Sequence, residues 1–127
     1  MTVKMYKYIL LLTMVFLHIV DDFYLQGVLA RMKQKDYWKE NVPDKLYEKD
    51  YIAALIAHGY SWSFMVHIPV LIYSKHHGLA LASCLLQALI HLYIDNCKAN
   101  KKSINLIQDQ SFHLLQILII WVILILL

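Results

Sequence analysis

The chain has 127 residues, 60% of them hydrophobic, a mean hydropathy of +0.50 and a formal net charge of +3. It is too short for two ordinary domains and too apolar for a soluble one. Its few basic residues lie beside apolar segments instead of forming a nucleic-acid-binding stripe, so nucleic acid is not an expected partner and the lipid bilayer is.

In chain order, the first apolar stretch predicts a helix over residues 5–32. It opens like a signal peptide, with Lys4 and Lys7 before an apolar run and Val28-Leu29-Ala30 as a small-residue site. Asp21 and Asp22 interrupt that design, so the stretch reads as an uncleaved first helix. Residues 33–50 mix charge with Tyr37, Trp38, Tyr47 and Pro43, the composition of a charged interfacial loop with room for a short amphipathic helix. Further helices are predicted over 51–73, 78–97 and 104–127, each about long enough to cross a hydrocarbon core of ~30 Å. The short connections at 74–78 and 96–103 force antiparallel neighbours. Cys84 and Cys97 share the third helix, about 20 Å apart at the helical rise, which argues against a disulfide between them. The expected fold is therefore an all-α polytopic membrane protein, one domain of four transmembrane helices in an antiparallel bundle with a polar metal-binding centre.

The first and third connections carry Arg31, Lys33, Lys35, Lys39, Lys45, Lys49, Lys98, Lys101 and Lys102, against Lys4, Lys7 and Lys75 on the other side. The positive-inside rule then predicts both termini outside and the basic loops in the cytoplasm.

Three predicted helices carry a His and an Asp four residues apart: His18 with Asp22, His91 with Asp95, and Asp109 with His113 in reversed order. Residues at i and i+4 share a helix face, so each pair presents two ligand atoms to one point. The second helix adds His58. An Asp at the centre of a membrane helix costs about 2.5 to 3.5 kcal/mol even on the lenient insertion scale, so such residues belong inside the bundle, facing one another. Gln26, Gln87, Lys98 and Gln116 extend the same stripes. Four imidazoles and three carboxylates suit Zn, Mn or Fe, and are enough for one or two divalent ions. Asp21 is rotated about 100° from Asp22 and is expected behind the ligands or in a neighbouring groove. His67 falls on the opposite face from His58 and reads as structural, while His76 and His77 read as surface residues. Trp38, Tyr60, Trp62 and Trp121 are expected to pack against lipid or anchor at the interface.

The string His18-Ile-Val-Asp-Asp22-Phe23-Tyr-Leu25-Gln26 resembles the HxxxDFxLQ opening of a family of small bacterial and phage membrane proteins, domain of unknown function 3307. The similarity continues through His58-Gly59, through His91-Leu-Tyr-Ile-Asp95-Asn-Cys-Lys98 and through Asp109-Gln110-Ser-Phe-His113. The resemblance implies an integral membrane protein with a shared polar centre, in a bacterial inner membrane, and no established activity. There is a looser similarity to small membrane proteins described as metal-dependent hydrolases.

The leading expectation is a metal-dependent hydrolase acting on a phosphoester or phosphoanhydride of a lipid head group or similar phosphorylated amphiphile. The site would face the cytoplasm. Asp22, Asp95 and Asp109 are the expected catalytic carboxylates, and His18, His58, His91 and His113 complete the metal ligands. Gln26 and Gln110 would orient substrate, and Lys98, Lys101 and Lys102 would hold a phosphate at the mouth. The alternatives are a divalent cation or proton transport protein and a structural, holin-like phage membrane protein that needs no ligand set. Bis-histidine haem ligation leaves the aspartates without a purpose. Four short helices bury little area, which favours a homo-oligomer.

Overall fold

The computed structural model describes residues 2–126, and the described residues form helices and no strands. Helix α1 (Val3–Ile19) starts where the Thr2 hydroxyl accepts a hydrogen bond from the Met5 amide at 3.3 Å. It runs on into a π-helical turn over Val20–Leu25. The continuous first helix expected to residue 32 does not form. Gly27, at φ +50°, bends the chain through a left-handed conformation that glycine adopts without a Cβ penalty. The chain resumes as α2 (Leu29–Met32) and α3 (Lys35–Asn41), followed by a 3-10 turn at Lys45–Tyr47.

Three long helices follow: α4 (Asp50–Tyr73), α5 (His77–Ala99) and α6 (Leu106–Trp121), the last extended by a π-helical turn over Val122–Leu126. Asn105 starts α6 with a capping box, its side chain accepting from the Gln108 amide at 2.9 Å while Gln108 accepts from the Asn105 amide at 3.0 Å. Four segments, Val3–Leu25, Lys45–Tyr73, His77–Ala99 and Leu106–Ile125, are long and apolar enough to cross a membrane. Their outward faces agree with that. Leu12, Ile72, Leu89 and Ile107 are 65 to 78% exposed, as is normal for side chains solvated by lipid tails.

Helix α4 is the centre of the bundle. Half of its spanning window is buried, against 22 to 33% for the other three, and it packs along α5 and against α1 while α6 closes against α1 and α5. The interior is divided lengthwise. Toward the Ser74–Gly78 turn it is apolar, built from Leu10, Met14, Val66, Val70, Ile117 and Ile120 with Trp121 and Ile125. Toward the basic loops the same inward stripes change to His18, His58, His91, Asp95, Asp109 and His113, all at most 3% exposed. Trp62 sits at the boundary and is fully buried, so it is a core residue and not the lipid-facing anchor its composition suggested.

Between helices apolar enough to lie in lipid, where no water-driven collapse would act, close backbone approach supplies much of the packing. Gly59 provides it between α4 and α5: a Cβ there would lie 2.9 Å from the Ala88 carbonyl oxygen and 3.3 Å from the Leu92 Cβ. Gly59→Ala must therefore separate the two helices and is expected to lower stability by about 1–3 kcal/mol, as overpacking does. Gly78→Ala meets nothing within 4 Å and is expected to be neutral or slightly stabilising. Thermal unfolding of both variants in detergent checks this, and equal melting temperatures would remove the close-packing argument.

Candidate metal centre

Four helical segments deliver the polar side chains to one place. The π-helical turn at the end of α1 carries Asp21 and Asp22, α4 carries His58, α5 carries His91 and Asp95, and α6 carries Asp109 and His113. His58 Nε2 lies 3.1 Å from Asp22 Oδ1, 3.1 Å from His91 Nε2 and 3.4 Å from Asp95 Oδ2. His113 Nε2 lies 3.3 Å from both Asp95 Oδ1 and Asp109 Oδ1, and His91 Nε2 is 3.6 Å from Asp95 Oδ1. Bonds of about 2.1 Å to a tetrahedral or octahedral ion put neighbouring ligand atoms roughly 3.0–3.4 Å apart, which is the spacing seen here. Three overlapping sets have ligand atoms within 4.8 Å of one another: Asp22, His58 and His91; His91, Asp95 and His113; and Asp22, Asp109 and His113.

Hydrogen bonds from outside fix which ring nitrogens point inward with a lone pair. Gln116 donates its amide to the Gln87 backbone carbonyl at 3.2 Å and to Gln87 Oε1 at 2.8 Å, so its oxygen is the atom 3.2 Å from His113 Nδ1. Nδ1 must then carry a proton, so in the neutral ring the Nε2 lone pair would face two carboxylate oxygens. His113 Nε2 and Asp109 Oδ1 are both buried without a hydrogen-bond partner. Gln26, whose amide donates to the Asp22 carbonyl at 3.1 Å, also reaches His58 Nε2 at 3.3 Å and marks that nitrogen as an acceptor. The His58 proton is then on Nδ1, 3.6 Å from Asp21 Oδ2. With both rings neutral, acceptors would meet acceptors in a dry interior, an arrangement that a cation or added protons must offset.

His18 is engaged differently. Trp62 Nε1, which can only donate, lies 2.7 Å from His18 Nδ1, so the His18 proton is on Nε2 and is donated to Gln110 Oε1 at 3.1 Å. The Gln110 amide in turn donates to Asp22 Oδ2 at 2.7 Å and Asp109 Oδ2 at 3.1 Å. Both His18 nitrogens are therefore occupied, and the residue reaches the carboxylates through Gln110. The Trp62 ring also stacks on His91 at 4.1 Å, and His91 stacks on His113 at 4.0 Å. Asp21 stands behind His58 and accepts from the Ser61 hydroxyl at 2.6 Å.

Among the lysines, Lys33 is the one the sequence did not single out for the site. It is 5% exposed and ion-paired with Asp95. A signal existed: position 33 continues the polar line of His18, Asp22 and Gln26 at helical spacing. Lys98 pairs with Asp109 at 2.6 Å. Lys102 pairs with Asp36 at 3.0 Å on the surface, and the Lys101 ammonium lies over the Tyr93 ring at 4.5 Å. His67 lies outside the cluster, donating from Nδ1 to the Ser63 carbonyl at 2.7 Å and facing the Ser83 hydroxyl at 3.0 Å. His76 and His77 are exposed, and Cys84 and Cys97 are free.

The Trp62 indole donor decides the His18 tautomer. Trp62→Phe keeps an aromatic ring beside His91 but removes that donor, and is expected to cost about 1–3 kcal/mol of stability through the unsatisfied buried nitrogen. Nitrogen-detected histidine spectra should then show His18 as a mixture of tautomers. An unchanged Nε2–H tautomer would remove Trp62 from the network.

Comparison with known proteins gave no match: no family model, no curated protein and no solved structure matches this chain.

Proposed function

We propose that the protein is a membrane-embedded, divalent-metal-dependent hydrolase of phosphoester or phosphoanhydride bonds, acting on a lipid head group or similar phosphorylated amphiphile. The observation that carries it is the inward convergence of the His58, His91 and His113 Nε2 atoms with Asp22, Asp95 and Asp109, with adjacent atoms 3.1–3.6 Å apart along the cluster. Nitrogen and carboxylate donors suit Zn, Mn or Fe. Such an ion lowers the pKa of bound water and stabilises charge on phosphoryl oxygens.

In this reading His58, His91 and His113 are ligands, and Asp22, Asp95 and Asp109 are ligands or bridges. His18 acts through Gln110, whose amide holds Asp22 and Asp109 in orientation. A water proton passes to a cluster carboxylate, the water oxygen bonds to phosphorus, and the departing oxygen leaves with its electron pair and takes up a proton. The excess of Lys and Arg in the first and third connections supports a site at the cytoplasmic leaflet by the positive-inside rule. The order of the four motifs supports placing the chain with domain of unknown function 3307.

Transport of a cation or proton ranks second. It requires access from both sides, and the apolar half between the cluster and the Ser74–Gly78 turn is closed by Met14, Val66 and Val70, each 0% exposed.

Protein purified into nanodiscs is expected to hold a divalent ion by elemental analysis. Asp95→Asn and Asp109→Asn should lose most of it, and with it divalent-dependent phosphate release from a phosphatidate substrate. His67→Ala should keep both, because its ring nitrogens bond to Ser63 and Ser83 outside the cluster. Loss of a ligand carboxylate should also lower the melting temperature of the loaded protein, since metal binding contributes to folding. Equal metal content in all three variants would reduce the cluster to a hydrogen-bonded core and end the enzyme reading.

A further inference from the structure

A cavity of about 400 Å³ opens beside the cluster, lined by Gln26, Lys33, Gln34, Asp95, Lys98 and Lys102. It shares Gln26 and Asp95 with the candidate metal centre, so its inner wall is the outer wall of that centre. Three ammonium groups and two amides face one carboxylate there. None of the three ammonium groups is free: Lys33 is bound to Asp95 Oδ2, Lys98 to Asp109 Oδ2 at 2.6 Å and Lys102 to Asp36 Oδ2 at 3.0 Å.

The Asp95 and Asp109 carboxylates are the ones a cation would claim. Asp95 Oδ2 lies 3.4 Å from His58 Nε2, and the Asp109 carboxylate lies against His113. An ion held among the imidazoles would compete with both lysines for their partners and repel them at short range in a medium of low dielectric. The long stems of Lys33 and Lys98 let the ammonium groups turn away from the carboxylates, and the cavity is the space next to them. Lys33, at 5% exposure, then needs a new counter-charge.

The formal charges identify what would supply it. Asp21, Asp22, Asp95 and Asp109 against Lys33 and Lys98 leave an excess of two negative charges, with neutral imidazoles. One divalent ion balances that. A second divalent ion is balanced by a dianion but not by a single carboxylate, and a tetrahedral dianion can also accept from the second amide hydrogen of Gln34, whose first goes to the Ala30 carbonyl at 3.2 Å.

We propose that metal loading converts the Lys33–Lys98 cavity into a binding site for a phosphate monoester dianion, with these two lysines changing partner from carboxylate to phosphate. The proposal rests on the metal reading above and names how its substrate is held. It makes metal and phosphate binding mutually reinforcing, because the coupling between two ligands is reciprocal.

The test is calorimetric titration of the protein in phosphatidylcholine nanodiscs with inorganic phosphate, with and without Mn²⁺. Phosphate is expected to bind at least about tenfold more tightly with Mn²⁺, and Mn²⁺ more tightly with phosphate by the same factor. Lys33→Gln should abolish this enhancement while Mn²⁺ still binds. Where Lys33→Gln fails to fold, Lys98→Gln, at a side chain 35% exposed, reads the same effect. Lys75→Gln, in the opposite connection, should change nothing. An enhancement that persists in Lys33→Gln and Lys98→Gln, or its absence in a wild-type protein that binds Mn²⁺, overturns the proposal and leaves the metal centre standing. Failure to bind Mn²⁺ at all overturns the metal reading itself, and this inference with it. Adding phosphatidate to the nanodiscs assigns the source: competition with inorganic phosphate identifies a lipid head group as the occupant, and undiminished phosphate binding identifies a soluble phosphate ester.

Discussion

His113 Nε2 lies 3.3 Å from both Asp95 Oδ1 and Asp109 Oδ1, with no water-exposed surface on any of the three residues beyond 3%. Two carboxylates gathered on one buried imidazole constrain the rest of the bundle. Each carboxylate held away from bulk water needs a positive partner, be it an imidazolium, an ammonium or a metal ion. Every ammonium group within reach is drawn in. Lys33, just after α2, reaches Asp95, and Lys98 folds back from the end of α5 onto α6. The α5–α6 and α2–α5 junctions are thus held partly by the charge of the cluster.

The apolar half supports this arrangement at its boundary. Trp62 presents its indole donor to His18 and its ring face to His91, so one core residue fixes a tautomer on α1 and a ring plane on α5. Gln116 and Gln87 do the same for His113 from the layer below. His113 is therefore oriented by a bond to its outward nitrogen and His91 by the stacked Trp62 ring. This is the division of labour expected of a metal site, where surrounding hydrogen bonds set ring orientation and leave the ligating atoms free.

Much of this was legible in the sequence because membrane insertion penalises stray polar residues so heavily. A His or Asp at helical spacing inside an apolar run must face inward, and the i,i+4 pairs on α1, α5 and α6 follow from that alone. What the sequence did not reveal depends on backbone irregularity and reach. An ideal helix puts Asp21 about 100° from Asp22, but the π-helical turn over Val20–Leu25 brings both to the same imidazole, one at each ring nitrogen. Gly27 cuts the first helix short, a consequence of one positive φ that hydropathy does not encode. The Trp62 donor and the Gln110 relay were hidden for another reason: Trp and Gln in an apolar run read equally well as lipid anchor or helix contact until a partner is in view.

The lengthwise division also bears on mechanism. A cluster placed midway between two open ends would suit passage, whereas this one is backed by a closed apolar layer and flanked on the other side by a lysine-lined cavity. Charge entering from the basic-loop end meets Lys102 and Lys98 before it reaches Lys33 and the carboxylates. A cation is repelled along that path unless it arrives with an anion, and an anion is attracted but finds its lysines engaged until a cation has taken the aspartates. In the proposed reading, single-ended access would couple the two ligands electrostatically, and a site favouring a metal and a phosphoryl group together would be better arranged for reaction between them than for moving either one across.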